Sequence, residues 1–186
     1  MKVNIQSILP LNHNVRCFRT EKPDDYHFQP GQATLVAIDK EGLREEKRPF
    51  TFSSLPQDNT LEFTIKIYPS HDGVTDTMDE LQPGDSLILE DAWGAITYQG
   101  PGTFIAGGAG VTPFLSILRD QAQKNGNKEN QLLFSNRTLN DLFLVRELDH
   151  LTQGNMDLVF TQEDSSRYPH QRVDKAYLQK TIKDFD

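Results

Sequence analysis

The hydrophobic pattern of this chain changes period at Gly100-Pro101-Gly102, and that break constrains the fold more than any other feature. Before it, apolar residues recur at alternate positions in short runs bounded by turn residues, the signature of strands with one buried face. Residues 3–9, 14–19, 32–38, 48–53, 61–68 and 85–90 read as strands, with turns at Pro30-Gly31 and Pro83-Gly84. Leu61, Phe63, Ile65 and Ile67 fall on one face of the cleanest of these runs. One short helical segment over 76–81 interrupts them, and the set predicts a small antiparallel barrel of about six strands. Beyond the break, apolar runs at 103–106, 131–135 and 157–161 alternate with helical patterns at 113–125, 141–153 and 174–185. Strand–helix alternation of this kind predicts a parallel sheet with right-handed crossovers. The expected fold class is therefore β + α/β: a six-stranded antiparallel barrel over 1–99, then a parallel α/β domain over 100–186.

Composition narrows the chemistry. The chain has 186 residues, 19 Lys+Arg against 27 Asp+Glu and a net charge of -8. That balance argues against nucleic acid and anionic membrane surfaces, which select basic patches. No apolar run approaches the roughly 20 residues of a membrane-spanning helix, and the first residues lack a signal-peptide pattern. The single cysteine, Cys17, excludes an internal disulfide, a structural zinc site and an iron–sulfur cluster built from this sequence. A reducing cytoplasm is the simplest location, and any iron–sulfur partner comes from another chain. His13, His27, His71, His150 and His170 show no metal-ligand spacing and read as surface residues.

Four segments carry candidate chemistry. Gly107-Gly108-Ala109-Gly110-Val111-Thr112-Pro113 follows a predicted strand and opens a predicted helix. Glycines there admit backbone conformations closed to other residues, and amides at a helix start suit a phosphate. Thr112 is placed as N-cap and Pro113 as first helical residue. Arg48-Pro49-Phe50-Thr51 sets a cation, a ring and a hydroxyl on one strand. Between these two lies Asp72-Gly73-Val74-Thr75, with Thr75 placed as N-cap of the short helix before a Leu81-Gln82-Pro83-Gly84-Asp85 turn. Ser135-Asn136-Arg137-Thr138 follows the second α/β strand and adds a cation at its end.

In this order the segments resemble the ferredoxin–NADP reductase family of flavin-dependent electron-transfer proteins. The resemblance runs from Pro30-Gly31-Gln32 to the last predicted helix. It implies that Arg48 meets the flavin phosphates, Phe50 stacks on the isoalloxazine and Thr51 lies near the reactive N5, with Phe50 and Thr51 replacing the family's Tyr and Ser. Gly73, Val74 and Thr75 would receive a pyrophosphate, which favours FAD over FMN, and Lys66 and Tyr68 would lie near its adenine end. Gly107, Gly108, Gly110, Thr112 and Pro113 would hold the nicotinamide nucleotide, NADPH or NADH, with Arg137 either at a 2′-phosphate on its adenosine ribose or in a solvated loop. Trp93 is expected near the domain junction, as packing or as a cofactor contact. The family continues to a further strand ending in Cys-Gly-Pro, so the α/β domain here is expected to be a shortened version, with the strand at Phe104 left as an apolar edge.

The implied activity is an NAD(P)H-dependent flavoprotein reductase that takes hydride onto FAD, with Thr51 beside the reacting atom. Single electrons then pass to an acceptor such as a flavodoxin, a ferredoxin or a small molecule. A basic docking face for an acidic carrier would have to be local, for example around Arg44 to Arg48. The alternatives are a non-catalytic flavin- and nucleotide-binding electron-transfer subunit, and a two-domain chain that binds neither cofactor.

Overall fold

Apolar residues at alternate positions drive the first half of the chain into strands that bury one face. The protein is seen in a computed structural model that describes residues 1–68, 74–124, 126–163, 167–168 and 170–182. Strands β1 (Lys2–Pro10), β2 (Val15–Glu21), β3 (Ala33–Ile38), β4 (Arg48–Thr51), β5 (Thr60–Lys66) and β6 (Ser86–Leu89) form one sheet. Its order is β4-β3-β6-β1-β2-β5, and every neighbouring pair is antiparallel. The two ends of this sheet meet through a bridge between Phe52 and Phe63, and the Ser53 amide donates to the Glu62 carbonyl at 2.8 Å. That closure makes a barrel, which removes the exposed sheet edges that invite association.

Aromatic rings fill its interior. Phe52 is fully buried, stacks on Phe28 with centroids 4.2 Å apart and meets Phe63 at 5.1 Å. Val3, Ile5, Phe18, Val36, Leu61 and Leu87 complete the packing around them. The short helix α1 (Val74–Thr77) and a 3-10 turn at Met78–Glu80 add Val74 and Met78 to this core.

The second half forms a parallel sheet in the order β7 (Thr103–Gly107), β8 (Gln131–Asn136), β9 (Met156–Phe160). Helices α2 (Thr112–Gln123) and α3 (Val145–Leu151) connect these strands, and α4 (Lys175–Thr181) follows β9. Leu115, Leu118, Leu132, Phe134, Phe143 and Leu148 make a second core. Among the described residues β7 pairs on one side only, and Ile105 is 42 % exposed, which matches the expected apolar edge. No helix among the described residues is long and apolar enough to cross a membrane.

Several local expectations change. The helical pattern over 141–153 splits into a 3-10 turn (Leu139–Asp141) and the shorter α3. Thr138 and Asp141 cap each other's amides in that turn, the chain then runs extended at Leu142, and Leu144 sits at φ +52 before the helix starts. A capping box favours a helix start, but extended Leu142 and left-handed Leu144 end that turn, and helical geometry resumes only at Val145. Helix α4 begins after Asp174, whose carboxylate accepts from the Tyr177 amide at 2.8 Å.

The two halves share a polar and apolar junction. Val15 and Leu11, at the β1–β2 hairpin, belong to the second core. The Gly31 amide donates to Ser116 Oγ on α2 at 2.9 Å. The predicted apolar face of β5 is buried as expected, but its opposite face is buried too, with Glu62 and Thr64 each 5 % exposed. Arg119 of α2 covers that face: it donates to Glu62 Oε1 at 2.7 Å, to the Ser53 carbonyl at 2.5 Å and to Glu147 of α3 at 2.6 Å.

Candidate functional site

The C-terminal ends of parallel strands leave a crevice where backbone amides and polar side chains converge. Here Gly107 ends β7, Asn136 ends β8 and Thr161 follows β9. A cleft of about 250 Å³ opens at these ends and is closed on the barrel side by Lys66 and Tyr68 from the end of β5. It thus gathers five predicted residues, Lys66, Tyr68, Gly107, Gly108 and Arg137, from both halves of the chain. Ala109, Ser135, Asn136, Asp141 and Thr161 also line it and had not been singled out from the sequence. Their available signal was position: they sit on or just after the ends of parallel strands or on the glycine turn.

The glycine turn differs in detail from its expected form. Residues Gly108–Val111 form a 3-10 turn that runs directly into α2, so Thr112 is the first helical residue rather than an N-cap. The Thr112 hydroxyl donates to the Ala109 carbonyl at 3.0 Å and the residue is 7 % exposed, so it braces the turn from within. Pro113 is buried in the first turn of α2. Of the three glycines only Gly108 has positive φ, at +50. A side chain built on Gly107, Gly108 or Gly110 would meet nothing within 4 Å, so the three present bare backbone to open space.

Lys66 is held at the cleft by two contacts. Its Nζ lies 5.9 Å from the Tyr68 ring centroid and 3.9 Å from Asp141 Oδ1. Burial alone would raise the Asp141 carboxyl, but the hydrogen bonds from Thr138 and the charges of Lys66 and His13 outweigh it and hold it below the ordinary carboxylate range. Asn136 is 6 % exposed, and its Nδ2 is buried without a hydrogen-bond partner among the described residues. Such a donor costs about 1–3 kcal/mol to leave unpaired, and groups of this kind recur at ligand sites.

The remaining predicted residues lie elsewhere. Arg48, Phe50 and Thr51 share strand β4 and do not line the cleft. Phe50 and Thr51 are half-buried, and the exposed Arg48 guanidinium donates to the Lys47 carbonyl at 2.8 Å and to Glu46 at 3.3 Å. Arg44 and Lys47 are paired likewise, with Asp39 and Glu90 at 2.5 and 2.8 Å, so the cations of this stretch meet carboxylates rather than forming an open basic face. Gly73 lies outside the described residues. Val74 is buried in the barrel core, and Thr75 is inside α1 rather than at its N-cap, because the helix begins two residues earlier, at Val74. Trp93 is 50 % exposed and tied to Ala33 only through paired backbone hydrogen bonds of 2.8 Å. Cys17 is buried on β2, where burial and the neighbouring Glu62 push its thiol up to about 12, too high for a nucleophile or redox group. No group of His, Cys, Asp and Glu among the described residues could hold a metal ion.

Comparison with known proteins accounts for both halves. A family of oxidoreductase FAD-binding domains matches residues 2–98, and one of oxidoreductase NAD-binding domains matches residues 104–186. The reductase component of a propane 2-monooxygenase from Rhodococcus jostii is 29 % identical over 167 residues, covering 86 % of this chain and 44 % of that protein. The ferredoxin–NAD(P)+ reductase component of the naphthalene 1,2-dioxygenase and salicylate 5-hydroxylase systems of a Ralstonia species is 27 % identical over 147 residues, covering 77 % and 44 %. The chain spans about half the length of the curated relatives it matches. In fold it superposes on a ferredoxin NADP+ reductase from Neisseria gonorrhoeae with bound FAD and NADP, at a TM-score of 0.80 and 19 % identity, over 97 % of this chain and 75 % of that one. A six-stranded antiparallel barrel followed by a parallel α/β unit, each matched by its own cofactor-domain family, identifies this chain as a member of the ferredoxin–NADP reductase-like family of FAD- and NAD-binding oxidoreductases.

Proposed function

We propose that this chain is an NAD(P)H-dependent flavoprotein reductase, with the flavin on residues 1–99 and the nicotinamide nucleotide on residues 100–186. The observation that carries the reading is the cleft in which Lys66 and Tyr68 of the barrel face Gly107, Gly108 and Arg137 of the α/β half. Bare glycine backbone before a helix, with Lys66 across the cleft, matches the chemistry of a nucleotide pyrophosphate. Lys66 and Tyr68, expected at the adenine end of FAD, are therefore assigned to the nicotinamide nucleotide instead. Arg137 supports NADPH over NADH, because a guanidinium pairs with a 2′-phosphate in a bidentate manner.

The barrel residues are compatible with FAD. Arg48 is paired with an exposed carboxylate, Glu46, at 3.3 Å, and such a pairing contributes under about 1 kcal/mol and yields to a diphosphate. Phe50 offers a half-buried ring and Thr51 a half-buried hydroxyl on the same short strand, in the roles of stacking surface and N5 neighbour. The backbones of Gly73, Val74 and Thr75 complete the assignment for the pyrophosphate of the flavin. The chemistry that FAD supplies when bound is acceptance of hydride from the nicotinamide and release of electrons one at a time. The work left to this chain is to hold two ligands in register and exclude water between them, which calls for no general acid, base or nucleophile. The names of the relatives support an oxygenase component, directly or through a ferredoxin, as the acceptor; a flavodoxin or a small molecule are the other candidates, and a cytoplasmic location suits all of them.

Anaerobic titration of FAD-loaded protein with NADPH, followed by flavin absorbance, tests the reading. Stoichiometric bleaching is expected. A flavin that binds and stays oxidised overturns the reductase assignment in favour of a non-catalytic cofactor-binding subunit.

A further inference from the structure

Asp141 is an odd residue to find at a cleft that otherwise suits an anion. Its side chain is 12 % exposed, and its two oxygens face different partners. Oδ2 accepts from the Thr138 amide at 3.0 Å and from the Thr138 hydroxyl at 2.8 Å, closing the 3-10 turn. Oδ1 faces the barrel: Lys66 Nζ lies at 3.9 Å and His13 Nε2 at 3.8 Å. The backbone around it is gripped from the same side, since Asn12 Nδ2 donates to the carbonyls of Asp141 and Leu142 at 2.9 and 3.3 Å, and His13 Nδ1 lies 3.1 Å from the Asn140 carbonyl.

We infer that Asp141 is a resident counter-anion of the cleft, holding Lys66 by charge until a nucleotide phosphate takes its place. The geometry favours exchange. At 3.9 Å the Lys66–Asp141 contact is longer than a hydrogen bond, so it is an electrostatic pair that separates without a directional bond being broken. Oδ2 stays anchored by Thr138, so the turn survives when Lys66 swings toward a ligand. Lys66 is a flexible point charge with three donors, able to change partners over a few ångströms. A phosphate oxygen offers it a direct charge-assisted bond in place of the longer contact. Asp141 therefore lowers affinity for phosphate-bearing ligands while keeping a partly buried lysine neutralised in the free protein. It also makes nucleotide entry compete with one of the ties between the β1–β2 hairpin, β5 and the α/β half.

The inference rests on the cleft being the nucleotide site, and the test separates the two. Asp141→Asn keeps an acceptor for Thr138 but removes the charge; Lys66→Met removes its partner. Binding of NADP+, which avoids turnover, is measured by calorimetry for the FAD-loaded wild type, both variants and the double variant. Asp141→Asn is expected to bind about two- to five-fold tighter, the range of a modest ion pair, and to have no effect in the Lys66→Met background. Persistence of the gain without Lys66 would mean a reshaped turn and overturns the inference. So does unchanged or weaker binding by Asp141→Asn when the wild type binds. A wild type that does not bind NADP+ overturns the nucleotide reading and this inference with it.

Discussion

Replacing Arg119 by Met should loosen the junction by an amount that the structure allows to be sized. Arg119 is 20 % exposed at its side chain and bonds two carboxylates and a carbonyl, while Glu62 is 7 % exposed. Deleting one partner of a buried ion pair typically costs about 3–5 kcal/mol, because the other charge stays buried. Two contacts soften this: Arg19 still reaches Glu62 Oε2 at 2.9 Å and Ser53 Oγ donates to Oε1 at 3.0 Å. The expected loss is therefore near the low end, about 3 kcal/mol, with the Met side chain retaining much of the apolar stem contact. Urea unfolding at pH 7 measures it, and Glu62→Gln in the same background should restore part of the loss, since contacting residues are not additive. The pH dependence follows from the same carboxylate. Burial would raise the Glu62 carboxyl, yet Arg119, Arg19 and Ser53 together hold it below its ordinary value of 4.5. A depressed folded-state value contributes stability that is present above that ordinary value and lost as pH falls through the folded one. The deficit of Arg119→Met should thus be full at neutral pH and narrow as pH drops below 4.5, when protonation removes the charge that Arg119 neutralises. A loss under about 1 kcal/mol, the scale of a solvated surface pair, or a deficit independent of pH, would refute this reasoning.

Arg48→Ala should weaken FAD retention by about 1.5–3 kcal/mol through lost charged hydrogen bonds, read by flavin-release titration; unchanged affinity would remove Arg48 from the flavin site. Gly108→Val places a β-branched side chain at φ +50 and over the bare backbone of the turn. It should abolish NADP+ binding in calorimetry while FAD stays bound, and equal NADP+ affinity would count against the glycine turn as the nucleotide site. Gly31→Ala should destabilise the fold by at least about 1–3 kcal/mol: Gly31 has φ +95, and a Cβ there would sit 2.2 Å from the Ile96 carbonyl oxygen. A melting temperature equal to wild type would show that this close approach relaxes freely.

The frame of the molecule was legible because periodicity reports which faces are buried. The alternation in β5 placed Leu61, Phe63, Ile65 and Ile67 correctly, and each is 3 % exposed or less. The same alternation misled for its other face. Glu62 and Thr64 look solvent-facing in a strand of this pattern, and nothing local reveals that Arg119, 57 residues beyond Glu62, bonds its carboxylate or that Ser53 Oγ meets Thr64 Oγ1. Helix starts were also misjudged by a residue or more, at Thr75 and Thr112, because the turns before them already carry helical or 3-10 geometry. The helix expected from residue 141 was shortened by the extended backbone at Leu142 and the left-handed one at Leu144, which periodicity does not report. The glycine turn and Arg137 stood out through residue type. Asn136, Thr161 and, in the turn after β8, Asp141 did not, since polar residues at strand ends and turns are commonplace until the topology brings three strand ends to one crevice.

Strand β5 links the junction to the cleft. Its even positions, Glu62, Thr64 and Lys66, share one face by the two-residue repeat of a strand. Glu62 anchors that face to α2 and α3 through Arg119 and Glu147, and Lys66 ends it at the cleft beside Asp141. At a rise of about 3.3 Å per residue the two charges are roughly 13 Å apart on one rigid element. The β-barrel holds this strand by its pairing with β2 along its whole length, from Thr60 opposite Glu21 to Lys66 opposite Val15. Lys66 therefore has little freedom of backbone position. Its placement opposite the glycine turn depends on the register at which Glu62 meets Arg119, and Val15, its neighbour on β2, is itself buried in the α/β core. A barrel and an α/β unit that merely touched would leave the cleft width to thermal motion. Here the ion network around Arg119 and the β1–β2 hairpin set it from two points on the same pair of strands, which suits the proposed task of holding two ligands at a fixed separation.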